Sequence, residues 1–338
     1  MKANLYLKRL WPFILPAFVV ACGGSSDTNP VSGGRVGTDN NPVTSGPLQT
    51  STSTVTTGGT TTTTTLINIP AALAGNLTGL NYQAGDTSTT ADDTLTVTIA
   101  GLDSGVNSPT FTRNVALDVP GYVAFSQQSD SLSRLFVGVV AQSEDGNLRA
   151  GVVSDGGQST TFFSGGFYER SGGTAVPTTG LVRYAGTYAG ITNLSDLDQD
   201  QRLPNTTGAP AEALPSQPRQ TTGRVFINVD FSEGKLEGQI LEREFTDGEA
   251  LPTVNLFEGS VDSDGLISGN GRFADTSLTS AGTFAGALSN NGENLAGVVH
   301  LETIYFPTDP RDGTFDKEVG VFVLPQCGSA SAPADLCP

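Results

Sequence analysis

Between residues 180 and 325 the chain repeats one uncommon pattern: short runs of apolar alternation in which glycine shares a face with the bulkiest side chains. The stretch "SAGTFAGALSNNGENLAGVVHLE", residues 280–302, shows it most plainly. Phe284, Gly286 and Leu288 line one face of its first run, and Leu295, Gly297, Val299 and Leu301 line one face of its second. A period of two is the mark of a strand with one buried face. Glycine at mid-strand weakens an open sheet, because it offers no side chain to pack and loses the most freedom on ordering. A small closed barrel tolerates it: glycines let strands bend sharply and leave space that neighbouring Phe, Tyr and Leu fill.

Eight such runs follow one another, at 180–191, 223–232, 235–243, 253–262, 266–274, 280–289, 293–302 and 318–325. Their inner face reads Val182, Tyr184, Gly186, Tyr188; Val225, Ile227, Val229, Phe231; Leu236, Gly238, Ile240; and Phe257, Gly259, Val261. It continues with Ile267, Gly269, Gly271, Phe273; Phe284, Gly286, Leu288; Leu295, Gly297, Val299, Leu301; and Gly320, Phe322, Leu324. Bulky residues outnumber glycines, which predicts a filled interior. Sequential strands of this length predict an eight-stranded antiparallel up-and-down β-barrel, a closure that leaves no open edge. No helical periodicity interrupts the chain from Leu66 onward, so the fold class is all-β.

Connection lengths give the barrel a direction. "SEG", "SDG" and "NNGE" are tight turns, whereas the connections at 192–222 and 303–317 are long and share an end with those at 244–252 and 275–279. On the outside, Val319, Val321 and Val323, with Leu181, Ala185, Ala296 and Val298 nearby, form an apolar stripe that needs a cover. The preceding section, 66–172, reads as a β-rich, handle-like domain and supplies one. Its candidate strands are "DTLTVTIA", "TFTRNVALDV", "YVAF", "RLFVGVVAQ", "LRAGVVS" and "TTFFSGGFYE".

The N-terminal residues carry an address. Lys2, Lys8 and Arg9 precede a Pro-broken apolar run that is too short to span a membrane and ends at "VVACGG". Residues 1–21 read as a signal peptide. Cys22 after Val-Val-Ala resembles a lipobox, which implies lipidation at Cys22 and anchoring by its acyl chains; an ordinary secretory signal with a chance cysteine is the alternative. Residues 22–65, almost all Gly, Ser, Thr, Asn and Pro, cannot bury enough surface to offset ordering entropy and read as a disordered tether.

Removing residues 1–21 takes away three basic and no acidic side chains, moving the formal net charge from −17 to −20. Such acidity argues against nucleic acid and against flat binding to anionic lipid. Cys327 and Cys337, in an oxidising compartment, predict one disulfide that closes the tail at 326–338.

Catalytic readings find little to build on. His300 is the single histidine and falls on the outward face of its strand, where a solvated wall position is expected. "LDSG" at Asp103 lacks a second Asp-Ser/Thr-Gly and reads as a turn. Asp196, Asp198 and Asp200 are spaced like the start of a calcium loop, but Gln201 stands where Gly is required and Thr207 where a bidentate Glu belongs. A solvated acidic loop is the default there, with a weak calcium site as the alternative. No metal and no cofactor is assigned. The binding candidates lie on the two long connections: Asp196, Asp198, Asp200 and Arg202 on the first, and Tyr305, Phe306, Asp309, Arg311 and Phe315 on the second. Aromatic anchors mixed with Arg are what binding surfaces favour.

"TGLVRYAGTYAG", "VFINVDFSEGKLEGQI" and "GTFAGAL…LAGVV…YFP…EVGVF" resemble the opening strand, a hairpin and the closing strands of the surface lipoproteins related to transferrin-binding protein B, a group that extends to factor H-binding and Slam-dependent lipoproteins. The resemblance covers about 180–325 and the overall layout. It implies a Gram-negative outer-membrane lipoprotein at the cell surface, monomeric and non-catalytic, that captures a protein or solute, including a metal or haem carrier, through the long-loop rim of the barrel. Phe306-Pro307 replaces the family's Gly-Pro, Gly320 stands alone where two glycines are usual, and "TDPRDGTFDK" is inserted. One handle-plus-barrel unit is present where transferrin-binding protein B has two. A structural envelope lipoprotein without a specific ligand is the second reading.

Overall fold

The computed structural model describes residues 53–57, 60–64, 67, 69–83, 90–101, 110–157, 161–170, 175–194, 202–204, 206–210, 213–274, 280–302 and 317–337. Residues 1–21, expected to be a signal peptide, and Cys22 and Asp103 lie outside the described residues. Within the segment expected to be a tether, β1 (Ser53–Thr57) and β2 (Thr60–Thr64) pair as an isolated antiparallel hairpin, a departure from a wholly unstructured reading.

The chain then enters through a single helical turn, α1 (Ala71–Ala74), and builds a seven-stranded antiparallel sheet in chain order. Its strands are β3 (Leu77–Gln83), β4 (Thr94–Ile99), β5 (Thr110–Arg113), β6 (Val123–Gln127), β7 (Phe136–Gln142), β8 (Leu148–Asp155) and β9 (Ser164–Arg170). The sheet curls until its ends nearly meet: the Asn76 amide donates to the Ser164 carbonyl at 2.8 Å, and Asn76 Oδ1 accepts from the Ser164 amide at 3.2 Å. β3 is absent from the strands expected of this section. A register shift between Leu77 and Gly79 interrupts its alternation, so "LTGLNYQ" carries no clean period.

The second body is a closed eight-stranded antiparallel barrel, as the alternation predicts. Strands β10 (Leu181–Thr192), β11 (Arg219–Asp230), β12 (Lys235–Phe245), β13 (Val254–Val261), β14 (Leu266–Phe273), β15 (Gly282–Leu288), β16 (Asn294–Leu301) and β17 (Glu318–Pro325) pair in order, and β17 pairs back onto β10. Tyr184, Tyr188, Val225, Ile227, Val229, Phe284, Leu295, Val299, Phe322 and Leu324 are among the side chains buried inside it. Glycine does there what the pattern predicts. A Cβ on Gly297 would come within 2.6 Å of the Phe322 ring, so the missing side chain is the space into which the phenylalanine packs.

One inner-face assignment fails. β13 slips its register on both neighbours around Phe257, and Glu258 takes φ +51°, so Val254 and Leu256 point inward while Phe257 turns out and is half-buried. A bulge inserts one residue, and everything beyond it changes face.

The two bodies share a core. Ala189, Ile191, Ala285, Ala287, Ala296, Val298, Val319 and Val321 on the outside of the barrel join one apolar cluster with Val139, Val152, Phe167 and Tyr168 of the curled sheet. β8, wedged between the sheet's interior and the barrel wall, is buried at every position. The expected cover for the stripe is therefore present, with one exception: Leu181 is 74% exposed. Tyr122 pins the contact by donating from its hydroxyl to the Thr187 carbonyl at 2.8 Å. His300 is also not the solvated wall residue expected. It is half-buried beneath α1, with Nδ1 3.0 Å from the Ala72 carbonyl.

Candidate functional site

Antiparallel closure sorts the connections by end. Those spanning 193–218, 246–253, 274–281 and 302–317 all leave from the end where β10, β12, β14 and β16 finish. The opposite end is closed by tight turns whose glycines, Gly234, Gly265 and Gly292, take φ between +65° and +76°. It also carries the tail, where Cys327 and Cys337 form a disulfide with a Cα–Cα distance of 5.3 Å. That tail lies along the barrel wall: the Cys327 amide donates to the Arg183 carbonyl, Arg183 Nη1 donates to the Leu336 carbonyl, and Arg224 pairs with Asp335.

Of the binding candidates, Arg202 alone is described. It is exposed and sits in an isolated bridge with Ser216, beside a hydrogen bond from the Leu203 amide to the Pro215 carbonyl. Asp196, Asp198, Asp200, Tyr305, Phe306, Asp309, Arg311 and Phe315 lie outside the described residues. The far part of the 193–218 connection rests on the curled sheet. A Cβ on Gly156 would lie 2.4 Å from the Ser216 carbonyl oxygen, and Gln220 donates to the Leu117 carbonyl at 2.7 Å.

Directly beneath this rim, inside the barrel, lies a sealed polar network that the sequence expectations do not contain. Arg243 and Glu318 are both fully buried and paired, Nη2 to Oε2, at 2.7 Å. The Tyr188 hydroxyl donates to Glu318 Oε1 at 2.6 Å, Thr221 Oγ1 donates to the same oxygen at 3.2 Å, and Arg243 Nη1 donates to the Pro252 carbonyl at 2.6 Å. The guanidinium also lies 6.0 Å from the centre of the Phe273 ring. Burial pushes the Tyr188 phenol well above its ordinary pKa, and the neighbouring Glu318 charge adds to the shift. Burial is the largest single influence on the Arg243 charge and opposes it, but Glu318 and Tyr188 together hold the guanidinium above its ordinary value.

Backbone geometry delivers Arg243 to this position. On β12, Leu236, Gly238 and Ile240 face inward, so plain alternation would send Glu242 and Glu244 in and Arg243 out. Instead the β11–β12 register shifts between Thr222 and Arg224, Glu242 takes φ +51°, and the inward parity moves to Arg243 and Phe245. Glu242, left outside, pairs with Arg224 at 3.2 Å. Glu318 was within reach of the sequence, because it shares the parity of Gly320 and Phe322, and a carboxylate on an inner face demands a cation. Its partner was not, since a bulge leaves no trace in the alternation.

The ends of the two longest connections meet at this network. Thr192 Oγ1 donates to the Lys317 carbonyl at 2.7 Å, the Asn193 amide reaches the same oxygen at 3.3 Å, and the Lys317 amide donates to Asn193 Oδ1 at 2.8 Å. One connection therefore begins where the other ends, one residue from Glu318.

No three His, Cys, Asp or Glu side chains converge as a metal site among the described residues, and no described helix is long and apolar enough to cross a membrane. Two clefts stand out, both outside the barrel. One, of about 250 Å³, lies in the seam of curled sheet, barrel and tail, lined by Tyr122, Glu144, Thr187, Arg224 and Ser331. The other, of about 360 Å³, lies against Leu181, Asp230, Lys235 and Phe257.

No family model matches the chain, and no curated protein matches it. Among solved structures it is similar to intact transferrin-binding protein B with N and C lobes, at 11% identity and a TM-score of 0.34, over 73% of this chain and 54% of that one. A transferrin-binding protein B variant from Haemophilus parasuis Hp5 gives 13% identity and a TM-score of 0.34, over 73% and 53%. The N-lobe of lactoferrin-binding protein B from Moraxella bovis gives 14% and 0.28, over 55% and 79%. The chain thus spans about half the length of the first two.

Proposed function

We propose that the protein is a non-catalytic binding lipoprotein, held at the outer-membrane surface through Cys22, that captures a macromolecule on the long-connection rim of its barrel. The observation that carries this reading is the closure of the alternatives. The barrel interior is packed with Tyr184, Val225, Ile227, Leu295 and Phe322, one wall is buried under the curled sheet, and the end opposite the long connections is closed by tight turns. A filled barrel offers no cup for a small solute, so recognition falls to an outer surface, and long loops on a rigid scaffold are where binding residues concentrate. A protein ligand, including a carrier of metal or haem, suits that geometry. Domain limits at 22–65, 66–172, 180–325 and 326–338 belong to the same reading, as does a monomeric state.

The test is retention. A ligand drawn from the organism's natural surroundings and held by the full chain should be lost on deleting residues 196–218 or on replacing Tyr305 and Phe306 by Ala, with the thermal transition of the barrel nearly unchanged. Equal retention by those variants moves the site elsewhere. Placement is tested separately: protease treatment of intact cells should release the barrel, and Cys22→Ala should remove acyl label. Protection from the protease, together with no retained ligand, would favour a structural envelope role.

A further inference from the structure

We infer that the Arg243–Glu318–Tyr188 network is a positioning device that fixes the bases of the two longest connections, at Thr192–Asn193 and Lys317, relative to each other from beneath, before anything docks on the rim. The inference deepens the rim reading and takes its functional meaning from it, but its geometry stands by itself.

Three observations carry it. First, the network is placed at the rim end and nowhere else in the barrel. Glu318 is the first residue of β17, immediately after the 302–317 connection, and Thr221 is the third of β11, just after the 193–218 connection. Their link through Glu318 Oε1 and the Thr192–Lys317–Asn193 hydrogen bonds tie both loop bases into one cluster. Second, the fold accepts backbone strain to build it. Glu242 holds a left-handed conformation that a non-glycine side chain disfavours, and the effect of that bulge is to turn Arg243 inward. Third, the space is reserved on two sides. Cβ atoms on Gly320 and Gly190 would lie 1.9 Å from the Tyr188 hydroxyl and 2.4 Å from Thr221 Oγ1.

Apolar packing alone could stabilise the same position, and a buried ion pair is weak evidence for stability in itself. What a charged, multiply hydrogen-bonded cluster adds is a single geometry, because displacement of any member strands a buried polar group. Arg243 and Glu318 have no exposed surface, so neither can touch a partner, and any effect they have on the rim must be transmitted.

Hydrogen exchange on the full chain tests the inference without any ligand. In the double variant Arg243→Met with Glu318→Met, the amides of Asn193, Thr246 and Lys317 should exchange at least tenfold faster relative to those of Val298 and Val299 in β16. Glu318→Gln, which keeps the shape of the side chain, should shift the same ratio in the same direction by less, and it decides the matter if the double variant does not fold. Leu324→Ala, a cavity at the opposite end, should accelerate exchange across the barrel without singling out the rim. An unchanged ratio in the network variants overturns the inference. A loosened rim with undiminished ligand retention would support the positioning role and remove the rim as the binding surface.

Discussion

Gly190 and Gly320 face each other as a cross-strand pair between β10 and β17, and the space above them holds the Tyr188 phenol and the Glu318 carboxylate. The glycines and the network are one construction: strands that close the barrel also make room for the charge inside it.

Gly320→Ala should therefore be severe. A Cβ 1.9 Å from Tyr188 Oη forces the ring off Glu318, combining overpacking with a lost buried hydrogen bond, at a cost of about 3 kcal/mol. Gly271→Ala, whose Cβ would meet only Val254 and Leu301 at ordinary contact distances of 3.4 and 3.6 Å, should stay within about 1 kcal/mol of wild type. Urea denaturation of the two variants checks the contrast, and equal losses would contradict it.

Breaking the ion pair should hurt more than replacing it. Arg243→Ala leaves the Glu318 charge buried without its cation and should cost about 3–5 kcal/mol. The Arg243→Met and Glu318→Met double variant should recover most of that loss. If the single variant proves no less stable than the double in denaturant melts, the network is not acting as a buried pair.

At Glu242 the expectation concerns backbone, since its exposed pairing with Arg224 is worth little. Glu242→Gly should be neutral or mildly stabilising at φ +51°, whereas Glu242→Val should lose about 1–2 kcal/mol. Deleting Glu242 removes the extra residue of the bulge, so plain alternation from Ile240 keeps Arg243 and Phe245 inward, and the variant should fold with the ion pair in place. An unfolded deletion variant would show that the bulge does more than set parity.

A pH effect follows from His300. Burial holds its pKa below the ordinary value, with Lys317 adding to the shift and Glu302 opposing it, so the folded protein favours the neutral ring. The unfolded chain takes up the proton first. This contribution to stability is complete above about pH 6.5 and declines as pH falls below that. Thermal melts between pH 7.5 and 5.0 should show a shallower acid decline for His300→Gln than for wild type, and parallel slopes would refute the assignment.

The inner face of the barrel was legible wherever alternation ran unbroken, as in Val225, Ile227 and Val229 or Phe322 and Leu324. It failed at Phe257, and Arg243 was missed, for one physical reason: a bulge changes parity without changing composition. β3 was lost the same way, through the shift at Leu77. The cover on the outer stripe could be anticipated because apolar area left to water is costly, whereas which wall residues escape it, as Leu181 does, depends on where the sheet's edge falls.

His300 also sets where the chain enters the fold. Its contact with Ala72 places α1 level with the rim end of β16, so Ile67, Ile69 and Pro70 arrive toward that end and not at the end with the tight turns. On the anchoring proposed at Cys22, the rim would therefore face the support, and for it to face outward the segment before Ile67 would have to run the height of the barrel, about 26–40 Å for strands of eight to twelve residues. On the same proposal, shortening that segment to a handful of residues would leave the fold intact and turn the rim toward the support.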